Sequence, residues 1–395
     1  MRILAVAMAH SSHTARWLGS LSDQQWDVHL FPVEEVELHA ELDHLTLHNL
    51  VRTRRRTHQG LRQKGLPWPL PRGWWRASNA IERLPFARRA TRLARLIERI
   101  RPDVVHSLEM QHAAYLVLES RARVTSARFP PWIYSCWGSD LFFFGRRPEH
   151  EQRVRAVLAA CDYLTTDCRR DVALAREFGF RGEALGIFPG PGGFDVRRMR
   201  AATSRIPASS RTVIAVKGTQ NWAGRGLTAL RAVRLSADLL VGHEVVVYSA
   251  SEEAAAAAAA LSAETGLAVS VLPPSPWTTI ADVMGRARVA LAVNVTDGTP
   301  NTMLEAMIMG AFPVQSDTIS TREWLRNGEN GFLVPPEEPE AVAAALREAL
   351  TNDALVDRAM AVNERLTEQV GRDVVQPRIV RMYEEAARQA PEPGR

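Results

Sequence analysis

Strand-like and helix-like segments alternate along this chain, and the alternation runs through it twice. Six apolar segments in the first half are predicted to be strands: Ile3–Ala7, Val28–Phe31, Val104–His106, Trp132–Cys136, Tyr163–Thr166 and Ala184–Phe188. The pattern starts again after residue 212 with five more: Val213–Lys217, Glu244–Ser249, Ala268–Leu272, Val289–Val295 and Phe312–Gln315. Such alternation is typical of parallel, doubly wound sheets. The sequence therefore predicts an α/β fold with two doubly wound domains.

A polar segment rich in glycine and proline separates the two sets of strands. It starts in Pro189–Asp195, and a linker is predicted over residues 191–211. A chain of 395 residues is too long for one ordinary core, so domains are predicted at 1–190 and 212–375. A C-terminal helix within 376–395 is expected to pack back on the first domain. Helical patterns fill most intervals between strands: 86–100, 149–160, 227–235, 251–263, 278–286, 301–309 and 339–350.

The composition is that of an ordinary globular enzyme, with 46% hydrophobic and 24% charged residues. No segment approaches the roughly 18 uncharged apolar residues of a membrane span. The first strand runs directly into His10 and His13, which argues against a signal peptide. Three cysteines, Cys136, Cys161 and Cys168, match no common metal spacing and fit a reduced compartment. A cytoplasmic protein is expected.

Positive charge is concentrated between Arg52 and Arg101. This segment has 15 lysines and arginines and two acidic residues, a net charge of +13, whereas the whole chain carries +5. It also contains three tryptophans: Trp68, Trp74 and Trp75. Basic residues with interfacial tryptophans favour peripheral contact with an anionic membrane. A solvated arginine-rich face is the alternative; nucleic acid is not expected, because no recognised nucleic-acid-binding motif is present.

The segment from Asp297 to Glu305 predicts a ligand site at the start of a helix. Thr299 is the expected N-cap, Pro300 the first helical residue and Gly310 the end of the helix. The amides of its first turn, around Gly298, Asn301 and Thr302, can bind anionic oxygens. The two carboxylates can accept hydrogen bonds from hydroxyls, as in a nucleotide-sugar site. It is equally consistent with the spacing that Asp297 is a turn residue and Glu305 pairs with a neighbour.

Lys217 is the second group of interest, because only it and Lys64 are lysines in an arginine-rich chain. It ends a predicted strand and opens a loop that extends to Gly226, contains three glycines and includes Arg225. Two cations and close backbone approach suit a diphosphate, whose charge grows as a glycosyl–phosphate bond breaks. The alternative is a surface lysine in an ordinary βα loop.

Two polar turns follow predicted strands of the first domain. Near Trp137 and Asp140, a short glycine turn is expected to direct an aromatic face and a carboxylate towards sugar hydroxyls. Alternatively, Asp140 caps a helix. After the first strand, His10, Ser12 and His13 are candidate acceptor contacts. A helix N-cap by one of the intervening serines is the equal alternative, and no nearby acid or cysteine completes a zinc set.

Taken together, these segments resemble the retaining glycosyltransferases of the GT-B fold, most closely glycosyltransferase family 4. Asp297–Asp317 is similar to the E-x7-E block of that family, and Asn327–Pro335 to the loop that follows it. Pro189–Asp195 is similar to the family's linker, and Cys136–Asp140 to its Gly-x-Asp loop. The resemblance implies two Rossmann-like domains facing a central cleft, an N-terminal acceptor-binding domain and a C-terminal donor-binding domain.

The resemblance also implies roles for single residues. Glu305 would bind the donor ribose, and Asp297 with neighbouring amides would hold the transferred sugar. Lys217 and Arg225 would bind the diphosphate, and Asp140 would lie near the acceptor or the reacting sugar. The chain departs from the family at Asp297, where a glutamate is usual; at Lys217, where an arginine is usual; and at Ser11-Ser12, where a glycine pair is usual.

The function expected from this resemblance is transfer of a hexose-type sugar, with retention, from a nucleotide diphosphate sugar to a glycan or lipid-linked acceptor. Cell-envelope polysaccharide or glycoconjugate synthesis is the expected setting. The attack would come from the front face, with the leaving phosphate oxygen helping to deprotonate the acceptor, and neither metal nor other cofactor is expected. The alternatives are a GT-B enzyme of another type, such as a nucleotide-sugar epimerase, and a non-catalytic sugar- or nucleotide-binding protein.

Overall fold

The chain divides into two compact units, Met1–Gly193 with the C-terminal residues from Arg372, and Phe194–Gly371. A computed structural model describes residues 1–36, 38–52, 60–67, 81, 84, 88–126, 128–203 and 206–388. The tryptophans at 68, 74 and 75 therefore lie outside the described residues. No helix in the described part of the chain is both long and apolar enough to cross a membrane.

The first unit is built on a parallel sheet of eight strands in the order β4-β3-β2-β1-β5-β6-β7-β8. These strands are Arg2–Ala7 (β1), Asp27–Pro32 (β2), Thr46–Arg52 (β3), Arg62–Pro67 (β4), Val104–Leu108 (β5), Trp132–Cys136 (β6), Tyr163–Thr166 (β7) and Glu183–Ile187 (β8). Central strands such as β1 are apolar and buried on both faces, because helices cover both sides of a doubly wound sheet.

The helices of the first unit follow its strands. They are Ser12–Gly19 (α1), Arg89–Ile100 (α2), Tyr115–Arg121 (α3), Ser139–Phe142 (α4), Pro148–Ala160 (α5), Arg169–Glu177 (α6) and, at the end of the chain, Arg372–Arg388. The basic helix α2 starts at Arg89 rather than at residue 86, since Arg88 is still extended with ψ 136°.

The second unit has a parallel sheet of six strands in the order β11-β10-β9-β12-β13-β14. Its strands are Val213–Lys217 (β9), Glu244–Tyr248 (β10), Ala268–Val271 (β11), Ala287–Ala292 (β12), Phe312–Ser316 (β13) and Phe332–Val334 (β14). Its helices are Val196–Ala201 (α7), Gly226–Leu235 (α8), Glu252–Thr265 (α9), Trp277–Arg286 (α10), Asn301–Met309 (α11), Pro339–Thr351 (α12) and Asp353–Leu366 (α13); the C-terminal helix Arg372–Arg388 is α14.

The predicted α/β class and the eleven predicted strands are confirmed, with ends shifted by up to three residues. Strands β3, β4 and β14 were not predicted. β4 was missed because its residues are mostly exposed and polar or glycine, so it has no buried apolar run. The predicted linker is wrong in part: Asp195 caps helix α7 by accepting from the Arg198 amide at 3.1 Å.

The start of helix α11 was also predicted wrongly. Pro300 keeps an extended backbone with ψ 122°, so the helix begins at Asn301, and Pro300 rather than Thr299 is the N-cap. The predicted end is confirmed, since Gly310 is left-handed with φ 76°.

Helix α14 belongs to the first unit, where it packs through buried side chains including Ile379 and Tyr383. The Tyr383 hydroxyl accepts a hydrogen bond from Trp17 Nε1 at 3.0 Å and lies 2.6 Å from His106 Nδ1. The other ring nitrogen of His106 lies 2.7 Å from the Ser135 hydroxyl. This buried chain of polar groups fixes the last helix on the first sheet.

We predict that His106→Gln weakens the acid sensitivity of the fold. Complete burial lowers the pKa of His106 from 6.5 to about 3. Between these two pH values, the imidazole is protonated in the unfolded chain and neutral in the folded protein. The contribution of His106 to the free energy of unfolding is therefore fully present above pH 6.5 and is lost as the pH falls towards about 3. At pH 5 the loss is about 2 kcal/mol. Glutamine has a donor and an acceptor but does not titrate. Urea unfolding at pH 5 and 7 measures the difference.

The exposed His44→Gln is the matched control and should keep the pH dependence of the wild type. Parallel pH profiles for His106→Gln and the wild-type chain would contradict this account of His106.

Candidate functional site

The carboxyl ends of three neighbouring strands bring together the predicted residues of the second unit. Lys217 is the last residue of β9 and is paired in register with Tyr248, the last residue of β10. β12, on the other side of β9, leads into Asn294 and then Asp297. Because the strands are parallel, all these groups lie at one edge of the sheet, where open α/β sheets bind ligands.

The loop after Lys217 is fastened to the segment that follows β12. The Arg225 amide donates to the Val293 carbonyl at 2.8 Å, and the Val295 amide donates to the Ala223 carbonyl at 2.9 Å. A Cβ at Gly224 would lie 2.3 Å from the Thr219 carbonyl oxygen. The glycine is therefore required by the packing of the loop on itself, rather than by the close ligand approach that the sequence suggested.

The guanidinium of Arg225 donates hydrogen bonds to other groups of the second unit. Its Nε donates to Glu337 at 3.0 Å, and its terminal nitrogen donates to the carbonyls of Asn221 and Gly224, each at 3.1 Å. The Glu337 side chain is 67% exposed, and such a pair contributes only about 0–1 kcal/mol. A ligand with more negative charge could replace the glutamate at little cost.

Asp297 orders the turn in which it lies. Its carboxylate accepts from Asn294 Nδ2 at 3.2 Å and from the Gly298 amide at 3.0 Å. The Gly298 carbonyl in turn accepts from the Ser320 hydroxyl at 2.7 Å. The Gly298 amide thus bonds to Asp297, and Asp297 itself is half-buried at the edge of the sheet.

The first helical turn of α11, which follows the Asp297–Gly298 loop in the chain, has several polar side chains. Asn301 and Thr302 are half-buried, and Thr299 just before them is buried. The Thr302 hydroxyl oxygen is buried and has no hydrogen-bond partner in the described structure. A buried hydroxyl without a partner is unfavourable, so a hydrogen-bonding ligand would stabilise it.

Glu305 lies one turn further along α11 and is only 7% exposed. Its Oε1 accepts from the indole Nε1 of Trp277, the first residue of α10, at 3.0 Å. Burial and the negative charge of Glu305 raise the pKa of Tyr248 well above its ordinary value. Neither Trp277 nor Tyr248 was predicted as a site residue, because no spacing in the sequence connects either with Glu305.

This set of groups can bind a ligand that carries both hydroxyls and negative charge. Glu305 and Asp297 are hydrogen-bond acceptors, while Thr302, Lys217 and Arg225 are donors. Both cations lie at the end of β9 or in the loop that leaves it, on the same edge of the sheet as the start of α11. The N-terminus of that helix adds a favourable field for anions.

In the first unit, the structure brings His13 and Trp137 together. His13 lies in the first turn of α1, Trp137 follows β6, and their ring centroids are 5.3 Å apart. Ser12 begins α1, and Ser11 is its N-cap, accepting from the His13 amide at 3.2 Å. His10 lies 3.2 Å from Glu34 through a half-exposed side chain. The alternative that a serine caps this helix is therefore confirmed for Ser11, and His13 also contacts Trp137.

Asp140 does not point to an open surface, which corrects the predicted direction of its side chain. It is 2% exposed, and its Oδ2 accepts from the Tyr134 hydroxyl and the Trp137 amide, each at 2.9 Å. With the Gln111 side-chain amide turned so that its nitrogen faces both acidic groups, it donates to Asp140 Oδ1 at 3.1 Å and to Glu109 Oε1 at 2.9 Å. The carboxyl group turns inward because it accepts hydrogen bonds from these donors, so Asp140 shapes the loop that presents Trp137.

Glu109 was missed by the sequence analysis. It has a positive φ of 89°, a conformation that a non-glycine residue adopts only at a cost of about 1–3 kcal/mol. Its carboxylate accepts from the backbone amides of Gln111, His112 and Ala113 at 2.5–3.2 Å. These hydrogen bonds to the backbone amides offset the backbone strain at Glu109. They also fix its buried carboxylate near Asp140.

Two family models match the chain. One described as "Glycosyl transferases group 1" matches residues 226–352, which include the Asp297–Glu305 segment, and one described as "Glycosyl transferase 4-like" matches residues 72–168. Over 89 residues, 22% of this chain, the sequence is 38% identical to a phosphatidyl-myo-inositol mannosyltransferase of Mycobacterium tuberculosis. The match spans about a quarter of that relative, 24% of its length.

Solved structures resemble the chain over nearly its whole length. A sucrose-phosphate synthase of Thermosynechococcus elongatus is similar with a TM-score of 0.68 and 15% identity, over 98% of this chain and 99% of the other. HepE of Anabaena in complex with UDP-glucose has a TM-score of 0.67 and 14% identity, over 98% of this chain and 100% of the other. At these identities the likeness concerns the fold.

We predict that Asp140→Asn improves stability relative to the wild type as the pH rises. Burial, followed by the charge of Glu109, raises the pKa of Asp140 well above its usual value. The folded protein therefore holds a proton that the unfolded chain releases above about pH 4, and wild-type stability is lost as the pH increases. Asparagine stays neutral, so the gap between the variants should widen from pH 5 to 8 in urea unfolding.

The exposed Asp23→Asn is the control and should follow the wild type at both pH values. A gap that narrows with rising pH would show that Asp140 is stabilised as a carboxylate.

Proposed function

Because the chain belongs to the family 4 glycosyltransferases, which have the GT-B fold of two Rossmann-like domains, we propose that it transfers a sugar from a nucleotide diphosphate donor to an acceptor. The observation that carries the proposal is the edge of the second sheet, where a hydroxyl-binding carboxylate lies on the same side as two cations. Glu305, held by Trp277, is that carboxylate, and Lys217 and Arg225 are the cations.

The donor roles follow from the chemistry of each group. Glu305 accepts hydrogen bonds from the ribose hydroxyls, and Asp297 accepts them from the transferred sugar. Lys217 binds the diphosphate, and Arg225 joins it by exchanging exposed Glu337 for the more highly charged ligand. Thr302, whose buried hydroxyl has no partner in the described structure, donates to a donor oxygen.

Catalysis in this proposal depends on placement and electrostatics. As the bond from sugar to diphosphate breaks, negative charge grows on the leaving oxygen, and the two cations stabilise it. The acceptor hydroxyl attacks from the same face and passes its proton to that oxygen, so configuration is retained without a strong protein base or a metal. Holding both substrates in place supplies much of the acceleration.

We assign acceptor binding to the first unit. His13 and Trp137 form its aromatic contact, and His10 and Ser12 add polar groups at the end of β1. A glycan or lipid-linked acceptor is proposed, as in cell-envelope synthesis, because the curated relative acts on a phosphatidylinositol. The basic segment Arg52–Arg101 in the same unit supports contact with an anionic membrane.

The donor site is tested by Lys217→Ala and Glu305→Gln. A thermal-shift and calorimetric screen of UDP-, GDP- and ADP-sugars first identifies the donor. Loss of a charge-assisted contact costs about 1.5–3 kcal/mol, so Lys217→Ala should weaken its binding roughly 10- to 100-fold. Both variants should also lose sugar transfer. Arg231→Ala, which removes an exposed cation from α8, is the control and should bind normally.

Unchanged donor affinity in both variants would reject this site. Donor binding without transfer to any glycan or lipid acceptor would instead favour a sugar-binding protein, and a changed sugar in the released nucleotide would favour an epimerase.

We predict that Trp277→Phe reduces the preference for ribose over 2′-deoxyribose. The change keeps an aromatic ring but removes the N–H that holds Glu305. A neutral or charged hydrogen bond contributes about 1–3 kcal/mol, so the ratio of UDP to 2′-deoxy-UDP affinity, or that of the preferred nucleotide, should fall roughly 5- to 100-fold. Calorimetric titration with both nucleotides measures this ratio.

Trp324→Phe, at another buried tryptophan of the second unit, is the matched control. It should lower the melting temperature and leave the affinity ratio unchanged. If Trp277→Phe weakens both nucleotides equally, the indole supports packing rather than the position of Glu305.

A further inference from the structure

A groove lies between the basic helix α2 and strands β3 and β4 at the edge of the first sheet. It consists of two adjoining cavities of about 650 and 370 Å³, which share His48, Lys64, Gly65 and Arg99. The larger cavity is lined from the amino ends of the strands, for example by Thr46, and the smaller one by residues further along them. The two cavities therefore form one groove that follows the strand direction.

The larger cavity is cationic. Arg62, Lys64 and Arg99 line it, and none of them forms an ion pair with a residue of the described structure. Its one lining carboxylate, Asp27, is already bonded to the Arg2 guanidinium at 2.7 Å. Three positive charges without counterions around one cavity fit a phosphate group, which accepts several charge-assisted hydrogen bonds.

The floor of this cavity offers no compensating negative charge. It is formed by His29 and His48, both less than 9% exposed, with Nδ1 of the former 2.7 Å from Nε2 of the latter. Burial and the neighbouring cations Arg99 and Lys64, together with His29, lower the pKa of His48 to about 3, so this ring is neutral at ordinary pH. The charge of the cavity thus comes from its rim.

Most of the surface that lines the smaller cavity is apolar, although cationic side chains such as Lys64, Arg95 and Arg99 also line it. Phe31, Leu50, Leu66 and Leu96 contribute to it, and Leu66 is 58% exposed on the edge strand. Of the arginines there, Arg92 is paired with the buried Glu35 at 3.2 Å. A soluble phosphate would leave these apolar surfaces in water, whereas an amphiphile would cover them.

We propose that this groove binds an anionic phospholipid, with the phosphate held by Arg62, Lys64 and Arg99 and the first part of the acyl chain lying against Leu50, Leu66 and Phe31. The groove lies at the lateral edge of the sheet, apart from Trp137 and His13, and is a membrane-docking site in addition to the acceptor site. It does not depend on transferase activity. A negative result in a lipid assay therefore leaves the donor-site proposal standing.

The test is vesicle flotation of the full chain. Phosphatidylglycerol vesicles should recruit the wild type, and phosphatidylcholine vesicles should not. Lys64→Ala/Arg99→Ala should lower the vesicle affinity at least tenfold more than Arg123→Ala/Arg181→Ala. The latter pair removes two exposed cations of the same unit outside the groove. Diffuse attraction costs about fivefold per cation near the surface and would affect both pairs alike.

Leu66→Ser tests the apolar end separately. Since this side chain is more than half exposed, the fold should be kept, and recruitment should fall with unchanged charge. Equal losses in the two double variants, or equal recruitment by the two kinds of vesicle, would overturn the proposal. Lys64-dependent binding of inorganic pyrophosphate without vesicle recruitment would also overturn it, in favour of a soluble phosphate.

Discussion

Both candidate binding regions depend on parallel strand pairing. In the second unit, β9 lies between β10 and β12, and this order places Lys217, Tyr248 and the Asn294–Asp297 turn at one edge although they are far apart in sequence. Beyond the strands, the backbone hydrogen bonds from Arg225 to Val293 and from Val295 to Ala223 form an antiparallel bridge that fastens the two loops together. In the first unit the same rule brings the ends of β1 and β6 together, and with them His13 and Trp137. The sheet order, rather than any local motif, therefore assembles the polar groups.

The fold could be predicted from sequence where burial leaves a pattern in the chain. β1, β6 and β9 are covered on both faces, so most of their residues are apolar and their bounds were predicted closely. β4 has exposed faces, and no such pattern exists there to be found. For the candidate site, the sequence predicted segments, and the structure adds the contacts of single residues. The indole beside Glu305 comes from a residue 28 positions away, and no linear pattern records that contact. Asp140 and Asp297 bond to near neighbours, Trp137 and Gly298, but these bonds depend on loop conformations that the pattern of strands and helices does not specify.

Two buried acidic residues illustrate why residue type and motif do not decide a role. Asp140 is enclosed by donors of its own loop and neighbouring strand, and the nearby Glu109 makes ionisation of Asp140 still less favourable. It thus acts on the loop of Trp137. Glu305 instead lies on helix α11, which begins at the open edge of the second sheet. Its carboxylate accepts a hydrogen bond from Trp277 on the neighbouring helix α10. Asp140 is thus enclosed by its own loop and strand, whereas Glu305 lies next to the groups that are proposed to bind a ligand.

The two lysines of the chain share an unusual setting. Neither Lys217 nor Lys64 forms an ion pair with a described residue, in a protein where exposed arginines such as Arg347 and Arg322 commonly have carboxylate partners. An ammonium on a flexible stem loses side-chain entropy when it is ordered, so an unpaired lysine on a strand gains little for the fold. Lys64 lines the same cavity as Arg62 and Arg99, and Lys217 lies at the same edge of the second sheet as Arg225, whose own partner is the exposed Glu337. The positions therefore favour two separate phosphate ligands, a nucleotide diphosphate in the second unit and a lipid headgroup in the first.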